Sequence, residues 1–273
     1  MVRELFRLDG KVAIVTGGGR GLGREMALSL SDAGAEVTLA SRTQSQLEST
    51  AAFIAAKTGR SPLCVPTDVR ESAQMDDMVA ATVAKFGRLD IMVNNAGIGD
   101  RRGAGSRIWE LEDEDWADGI AVNLNSAFFG SRAAIRQFRT QESAGVVINV
   151  ASGFGMRAST GSMSYGAAKA GVISLTKSVA AQVAGEGMRV NCIVPGFLVQ
   201  APPETDDGRE MIAQRGRFNT ARRLGEAWEM GPLAVFLASR ASSYITGEIF
   251  VIDGGGLAGG VAPLGQGLVE VAS

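Results

Sequence analysis

The chain has 273 residues, 45% hydrophobic and 21% charged, a balance that argues against both a disordered segment and a membrane protein. Lysine plus arginine number 27 against 29 aspartate plus glutamate, so the net charge of −2 gives no strong field toward nucleic acid or an anionic membrane. Histidine is absent, which excludes a Ser-His-Asp triad, a histidine base and any histidine-ligated metal.

Short apolar, β-branched runs recur along the chain: VAIVTG at Val12, VTLAS at Val37, LCV at Leu63, IMVNN at Ile91, VVINV at Val146, VNCIV at Val190 and IFVID at Ile249. Most are apolar at every position rather than at alternate ones, the pattern of parallel strands covered by helices on both faces. The segments Gly23 to Ala33, Gln44 to Lys57, Ser72 to Lys85 and Tyr165 to Val183 are long enough for crossover helices. Right-handed βαβ connections then predict an α/β fold: a doubly wound, Rossmann-type, seven-stranded parallel sheet in one domain spanning residues 1–273. Two regions break the rhythm. Residues 200–224 are polar, charged and proline-bearing, as expected of a substrate lid, and residues 257–273 are glycine-rich, as expected of a loosely structured or interfacial tail. The opening residues contain no apolar run long enough for a secretory or membrane segment, and Cys64 and Cys192 cannot make a disulfide framework, so a reducing cytoplasmic setting is expected.

After the first strand comes Thr16-Gly17-Gly18-Gly19-Arg20-Gly21-Leu22-Gly23, with a helix behind it. Glycines at 17, 21 and 23 permit a tight turn and close backbone approach, and the helix N-terminus presents N–H groups and positive potential to a pyrophosphate. Gly17, Gly19, Arg20, Gly21, Leu22 and Gly23 are therefore candidate dinucleotide contacts. The second strand ends Ala40-Ser41-Arg42. A 2′-hydroxyl of the adenosine ribose calls for an acid there, and a 2′-phosphate for a cation. Ser41 and Arg42, helped by Arg20, favour NADP(H) over NAD(H).

Tyr165 and Lys169 are four apart on a predicted helix and share a face. Ser152 falls just past the VVINV strand, and Asn94 and Asn95 follow IMV, on the side of the sheet where such folds place ligands. With the glycine loop at Thr16 to Gly23, Asp68-Val69, Asn94-Asn95-Ala96-Gly97, Asn123 in VNLN, Ser152, Tyr165-x-x-x-Lys169, Pro195-Gly196 and the closing ITGEIFVIDGGG, the chain strongly resembles the compact branch of the short-chain dehydrogenase/reductase family. The resemblance covers nearly the whole chain. It implies a catalytic set of Asn123, Ser152, Tyr165 and Lys169, with Asp68 beside the adenine, further cofactor contacts from Val69, Asn95, Ala96, Gly97, Pro195, Gly196 and Leu198, no metal, and a homotetramer.

Side-chain chemistry agrees with that set. Free tyrosine ionises near ~10, and an ammonium at about 4 Å favours the phenolate by around 4 kcal/mol in an effective dielectric of roughly 20. Tyr165 is then the general acid for ketone reduction and the base for alcohol oxidation, Lys169 also holds the nicotinamide ribose, and Ser152 holds the substrate oxygen. By resemblance, Asn123 holds a water linking Lys169 to solvent. The family's usual threonine four residues beyond Gly196 is replaced by Gln200, and Ala227 and Trp228 stand where a proline and an acid are frequent.

Substrate choice is expected in loops 98–108, 153–163 and 197–224, with Phe154, Met156, Met163, Phe197 and Leu198 as an apolar wall. A free small ketone, sugar acid or secondary alcohol is the expected substrate. Arg132, Arg136 and Arg139 on one helical face raise the alternative of a 3-oxoacyl-carrier-protein reductase, opposed by the acidic Glu186 nearby. A non-catalytic nucleotide-binding subunit is the alternative of a different class.

Overall fold

Each of the seven apolar runs forms a strand in the computed structural model, which describes residues 2–99, 107–158, 163–217 and 219–259. A short α1 (Val2–Leu5) precedes β1 (Val12–Thr16), α2 (Gly21–Asp32), β2 (Glu36–Ser41), α3 (Gln44–Thr58), β3 (Leu63–Pro66), α4 (Ser72–Phe86) and β4 (Ile91–Asn94). The chain continues through α5 (Asp113–Ile120), α6 (Ser126–Thr140), β5 (Val146–Val150), α7 (Met163–Val183), β6 (Arg189–Pro195) and β7 (Leu198–Val199). It closes with α8 (Asp206–Arg217), β8 (Gly225–Glu226), α9 (Met230–Ala238) and β9 (Ile249–Ile252). The four crossover helices expected from sequence are α2, α3, α4 and α7, displaced by at most two residues at either end.

The main sheet runs β3-β2-β1-β4-β5-β6-β9, all parallel, and β7 pairs with β8 in a separate two-residue ladder. Every residue of β1, β4 and β5 is buried. The reason lies in the layers. Ala13 and Val15 face a core shared with Met26 and Leu30 of α2, Leu47 and Ile54 of α3 and Met230 and Leu237 of α9. Ile14 faces the other way, into a core with Met75 and Met78 of α4, Phe138 of α6 and Val183 of α7. Strands covered on both sides have no polar face to alternate with.

β1 lies between β2 and β4, so consecutive crossovers leave in opposite directions at this point and open a crevice at the carboxyl ends of the strands. The register aligns those ends, pairing Thr16 with Ala40, Asn94 with Asn149 and Val150 with Ile193. Loops after β1, β2, β4, β5 and β6 thus leave along one edge. A buried polar line stiffens it: Asn94 Nδ2 donates to Asn149 Oδ1 at 2.9 Å, and Asn149 Nδ2 to Thr176 Oγ1 of α7 at 3.0 Å. Asn94 is therefore a structural residue inside β4, not part of the edge.

The region 200–224 carries α8 and is anchored at its far end, where Ala221 N–H donates to Gly254 O at 2.9 Å and Thr220 Oγ1 to Gly255 O at 2.8 Å. The tail expectation concerns mostly residues outside those described; Leu257 to Gly259 form turns. Among the described residues no helix is long and apolar enough to cross a membrane.

Candidate active site

A cleft of about 360 Å³ follows the carboxyl edge of the sheet, from the end of β2 to the start of α7. Its nucleotide end is built from backbone. Gly19, Arg20, Leu22 and Gly23 line it where β1 turns into α2. A Cβ at Gly23 would fall 2.2 Å from Gly17 O, so helix and loop touch as only a glycine allows. Arg20 at the N-cap is extended and gives α2 no side-chain cap, leaving the first-turn N–H groups and the positive helix end for an anion. Asn95 fixes the opposite wall: its Nδ2 donates to Thr16 O at 2.9 Å, while the Asn95 and Ala96 N–H groups donate to Thr16 Oγ1 at 3.0 and 3.1 Å.

Charge is distributed unevenly along the cleft. Arg20 and Arg42 are exposed on its wall and form no ion pair among the described residues. Beside them, the buried Ser41 Oγ has no hydrogen-bond partner. Asp68, the one carboxylate among the wall's described residues, is gripped by Arg70 through Nε at 3.0 Å and Nη2 at 2.5 Å, and Arg70 reaches Asp118 Oδ1 of α5 at 3.0 Å. Those hydrogen bonds hold the Asp68 carboxyl below its ordinary range. An orphaned hydroxyl, two cations without an ion pair among the described residues and an uncapped helix start fit an anionic nicotinamide dinucleotide.

The other end brings Tyr165 and Lys169 together. Tyr165 is half-buried, and the Lys169 Nζ lies 5.6 Å from the centre of its ring. Lys169 is 3% exposed, and no carboxylate pairs with it among the described residues; its Nζ donates to Val150 O, the last carbonyl of β5, at 2.9 Å. Burial without a counter-charge pushes the ammonium down to about 8. Ser152 follows one residue beyond Ala151 of the wall. Its Oγ accepts from Phe154 N–H at 3.3 Å, which leaves its own O–H to donate outward.

Asn123 sits in a five-residue π-turn, Ala121–Asn125, that joins α5 to α6 without a break. Its side chain donates to Ile98 O at 2.9 Å and Gly119 O at 3.0 Å and accepts from Ile98 N at 3.1 Å. A Cβ on Gly97 would stand 2.8 Å from Asn123 Oδ1 and 3.2 Å from Lys169 Nζ, so these two side chains meet under the loop after β4.

Most residues expected from sequence line the cleft: Gly17, Gly19, Arg20, Leu22, Gly23, Ser41, Arg42, Asp68, Val69, Asn95, Ala96, Gly97, Tyr165, Lys169 and Pro195. Asn123 is buried beneath the loop after β4, Ser152 directly follows the lining residue Ala151, Gly21 lies under Gln200, and Gly196 packs on Asp253. Leu198 is elsewhere. Its side chain packs on the α2/α9 core and lines a separate small hollow with Asn219 and Asp253, because the β7–β8 ladder turns it away from the cleft. Gln200, the departure from the family pattern, is in the cleft, its Oε1 2.7 Å from where a Gly21 Cβ would be. Sequence reasoning passed over Arg70 and Val122 on the wall; an arginine two residues after Asp68 was the available signal for the first.

The family model described as Enoyl-(Acyl carrier protein) reductase matches residues 17–256. A short chain dehydrogenase/reductase of Aspergillus oryzae is 37% identical over 92% of this chain and 97% of its own length. The chain belongs to the short-chain dehydrogenase/reductase family. A 2-dehydro-3-deoxy-D-gluconate 5-dehydrogenase of Escherichia coli is 35% identical over 94% of this chain and all of that protein. The crystal structure of a short-chain type dehydrogenase/reductase from Mycobacterium marinum superposes with a TM-score of 0.86 at 32% identity, covering 94% and 99% of the two chains. This short-chain dehydrogenase/reductase is an oxidoreductase of the class that acts on CH–OH groups with a nicotinamide dinucleotide.

The buried ammonium has a cost that can be measured. Below about pH 8 the folded and unfolded enzyme both carry the Lys169 charge, and only the folded one has removed it from water. From there to the unfolded value near ~10.4 the unfolded chain alone keeps the proton, so stability rises with pH. Lys169→Met, close in volume, is expected to raise the ligand-free melting temperature at pH 7 by on the order of 3–6 °C, with the gain shrinking between pH 8 and 10; thermal unfolding monitored by circular dichroism reads both.

Proposed function

We propose that the enzyme interconverts a ketone and a secondary alcohol using NADP(H), with Tyr165 as general acid and base. The observation that carries this reading is the Lys169 ammonium, buried without a carboxylate and 5.6 Å from the Tyr165 ring. The nicotinamide supplies the hydride in reduction and takes it up in oxidation. The glycine loop and the start of α2 would hold the pyrophosphate, Ser41, Arg20 and Arg42 the 2′-phosphate, and Lys169 the nicotinamide ribose hydroxyls.

In reduction, the substrate carbonyl oxygen accepts hydrogen bonds from Ser152 Oγ and the Tyr165 hydroxyl, which orient it and stabilise the negative charge that develops there. Tyr165 gives its proton to that oxygen and becomes a phenolate. At the observed separation, in an effective dielectric of roughly 20, the ammonium favours the phenolate by ~3 kcal/mol. In oxidation the phenolate takes the alcohol proton back. Asn123 positions Lys169 and the loop after β4, its side chain being fully engaged with Ile98 and Gly119. A water between Lys169 and solvent, held near the π-turn, completes proton supply in this reading.

A carrier-protein substrate has weaker support, since the arginine row on α6 is not a free cationic patch. Arg132 stacks on Phe128 and Phe129 and donates to Ser72 Oγ, and Arg139 pairs with Glu186 at 3.2 Å. The edge strand β9, which leaves Val251 exposed, suits association into the homotetramer, and the free thiols of Cys64 and Cys192 suit a cytoplasmic setting.

Tyr165→Phe is expected to lower kcat for ketone reduction by roughly a thousandfold or more while leaving the NADPH dissociation constant within about twofold. Turnover close to wild type in that variant removes Tyr165 from the role, and nucleotide binding without turnover on any ketone favours a non-catalytic subunit. For the nucleotide, isothermal titration should give tighter binding of NADPH than of NADH, with Arg42→Ala weakening NADPH about tenfold or more and NADH little. Tighter NADH binding by the wild type reverses the assignment.

A further inference from the structure

We propose that the substrate is a bulky apolar ketone, a carbocyclic or aryl ketone rather than a polyhydroxy or charged one, seated against an aromatic wall of Phe154 and Phe197. The inference rests on the reading of Tyr165 as the proton donor, and it names what lies beyond the carbonyl. Three rings stand in a row from the proposed reacting oxygen outward. The Phe154 ring is 6.4 Å from that of Tyr165 at 85°, and the Phe197 ring is 5.9 Å from that of Phe154 at 79°. Both are edge-to-face contacts of the favoured kind.

The row is held in place by backbone. Phe154 lies in the turn Gly153–Gly155, whose N–H at 154 donates to Ser152 Oγ. Gly155 is pressed so closely on α7 that a Cβ there would be 2.6 Å from the carbonyl carbon of Lys169. The turn that positions Ser152 therefore also fixes Phe154 relative to Tyr165 and Lys169. Phe197 is set from the other side, its carbonyl accepting from Gly225 N–H at 3.0 Å.

Core packing accounts for Phe154, which is half-buried, but not for its neighbours. Phe197, whose ring meets Phe154 and which also borders the small hollow with Asn219 and Asp253, is 52% exposed, and Met156, which caps the Gly153–Gly155 turn, is 50% exposed. Their side chains carry no charge and no hydrogen-bond donor. A polyhydroxy ketone lying against them would leave its hydroxyls unpaired, whereas a ring would cover the exposed faces and gain the burial.

The test uses the full-length enzyme with NADPH and three ketones: 2-decalone, butan-2-one and dihydroxyacetone. Expected are a kcat/KM for 2-decalone about a hundredfold or more above that for dihydroxyacetone, and, in Phe197→Ala, a loss on 2-decalone roughly tenfold greater than on butan-2-one, carried mainly by KM. Phe197→Leu, which keeps an apolar side chain, should recover part of the loss on 2-decalone. A preference for dihydroxyacetone, or equal losses on 2-decalone and butan-2-one, overturns the inference while Tyr165-dependent turnover leaves the underlying reading standing. Turnover that survives Tyr165→Phe, or none with any of the three ketones, overturns both.

Discussion

The ammonium of Lys169 is kept in the protein interior with no carboxylate partner among the described residues, and the rest of the site is arranged around that fact. A lone buried charge is costly, and here it is compensated by a strand-end carbonyl, Val150 O, and by a neighbouring phenol. The sheet determines where that carbonyl lies: β5 ends within two residues of β4 and β6 in register, so the carboxyl ends of these strands and the residues just beyond them bring Gly97, Ser152 and Pro195 to one edge. α7 adds Tyr165 and Lys169 one helical turn apart. The π-turn at Asn123 lets α5 and α6 run as one helix while lending a side chain to the loop over the lysine. In the proposed mechanism, a chain without histidine thereby assembles a proton donor from a tyrosine and a cation.

The two ends of the cleft treat charge in opposite ways. At the catalytic end the cation is buried and its proton is held less firmly. At the nucleotide end Arg20 and Arg42 are exposed and make no ion pair among the described residues, while Asp68 of the wall is tied to Arg70. The Asp118 contact extends that tie to α5, the helix that leads into the π-turn. In the proposed function, the anionic phosphates are drawn to the nucleotide end and a neutral carbonyl sits at the other. The aromatic row continues the neutral end outward, with nothing ionic in its three rings.

The sheet was legible because burial on both faces removes alternation from the strands, and runs such as VAIVT and VVINV have no other ready use. The glycine loop was legible because its spacing sits between a strand and a helix, and the Tyr165/Lys169 pair because four residues make a helical turn. Contacts across the chain were less so. That Arg70 would neutralise Asp68 while reaching Asp118, 48 residues on, depends on the placing of α5. Asn94 and Asn95 are adjacent in sequence, yet a strand sends one inward to Asn149 and the other to the glycine loop. Leu198 followed a family pattern but is turned aside by a two-residue ladder, and two of the α6 arginines, Arg132 and Arg139, are engaged by aromatic rings and an acid that no local spacing reveals.

The central claim is that Lys169 tunes Tyr165. The chain has two tyrosines, and the second, Tyr244, is fully exposed, so it serves as a reference within the same molecule. Carbon-13 labelling at tyrosine Cζ with a pH titration by NMR follows each phenol separately. The account predicts that the Tyr165 signal titrates at lower pH than that of Tyr244, and that Lys169→Met moves it to higher pH while Tyr244 stays where it was. Coincident titration of the two tyrosines in the wild type, unchanged in Lys169→Met, would contradict it.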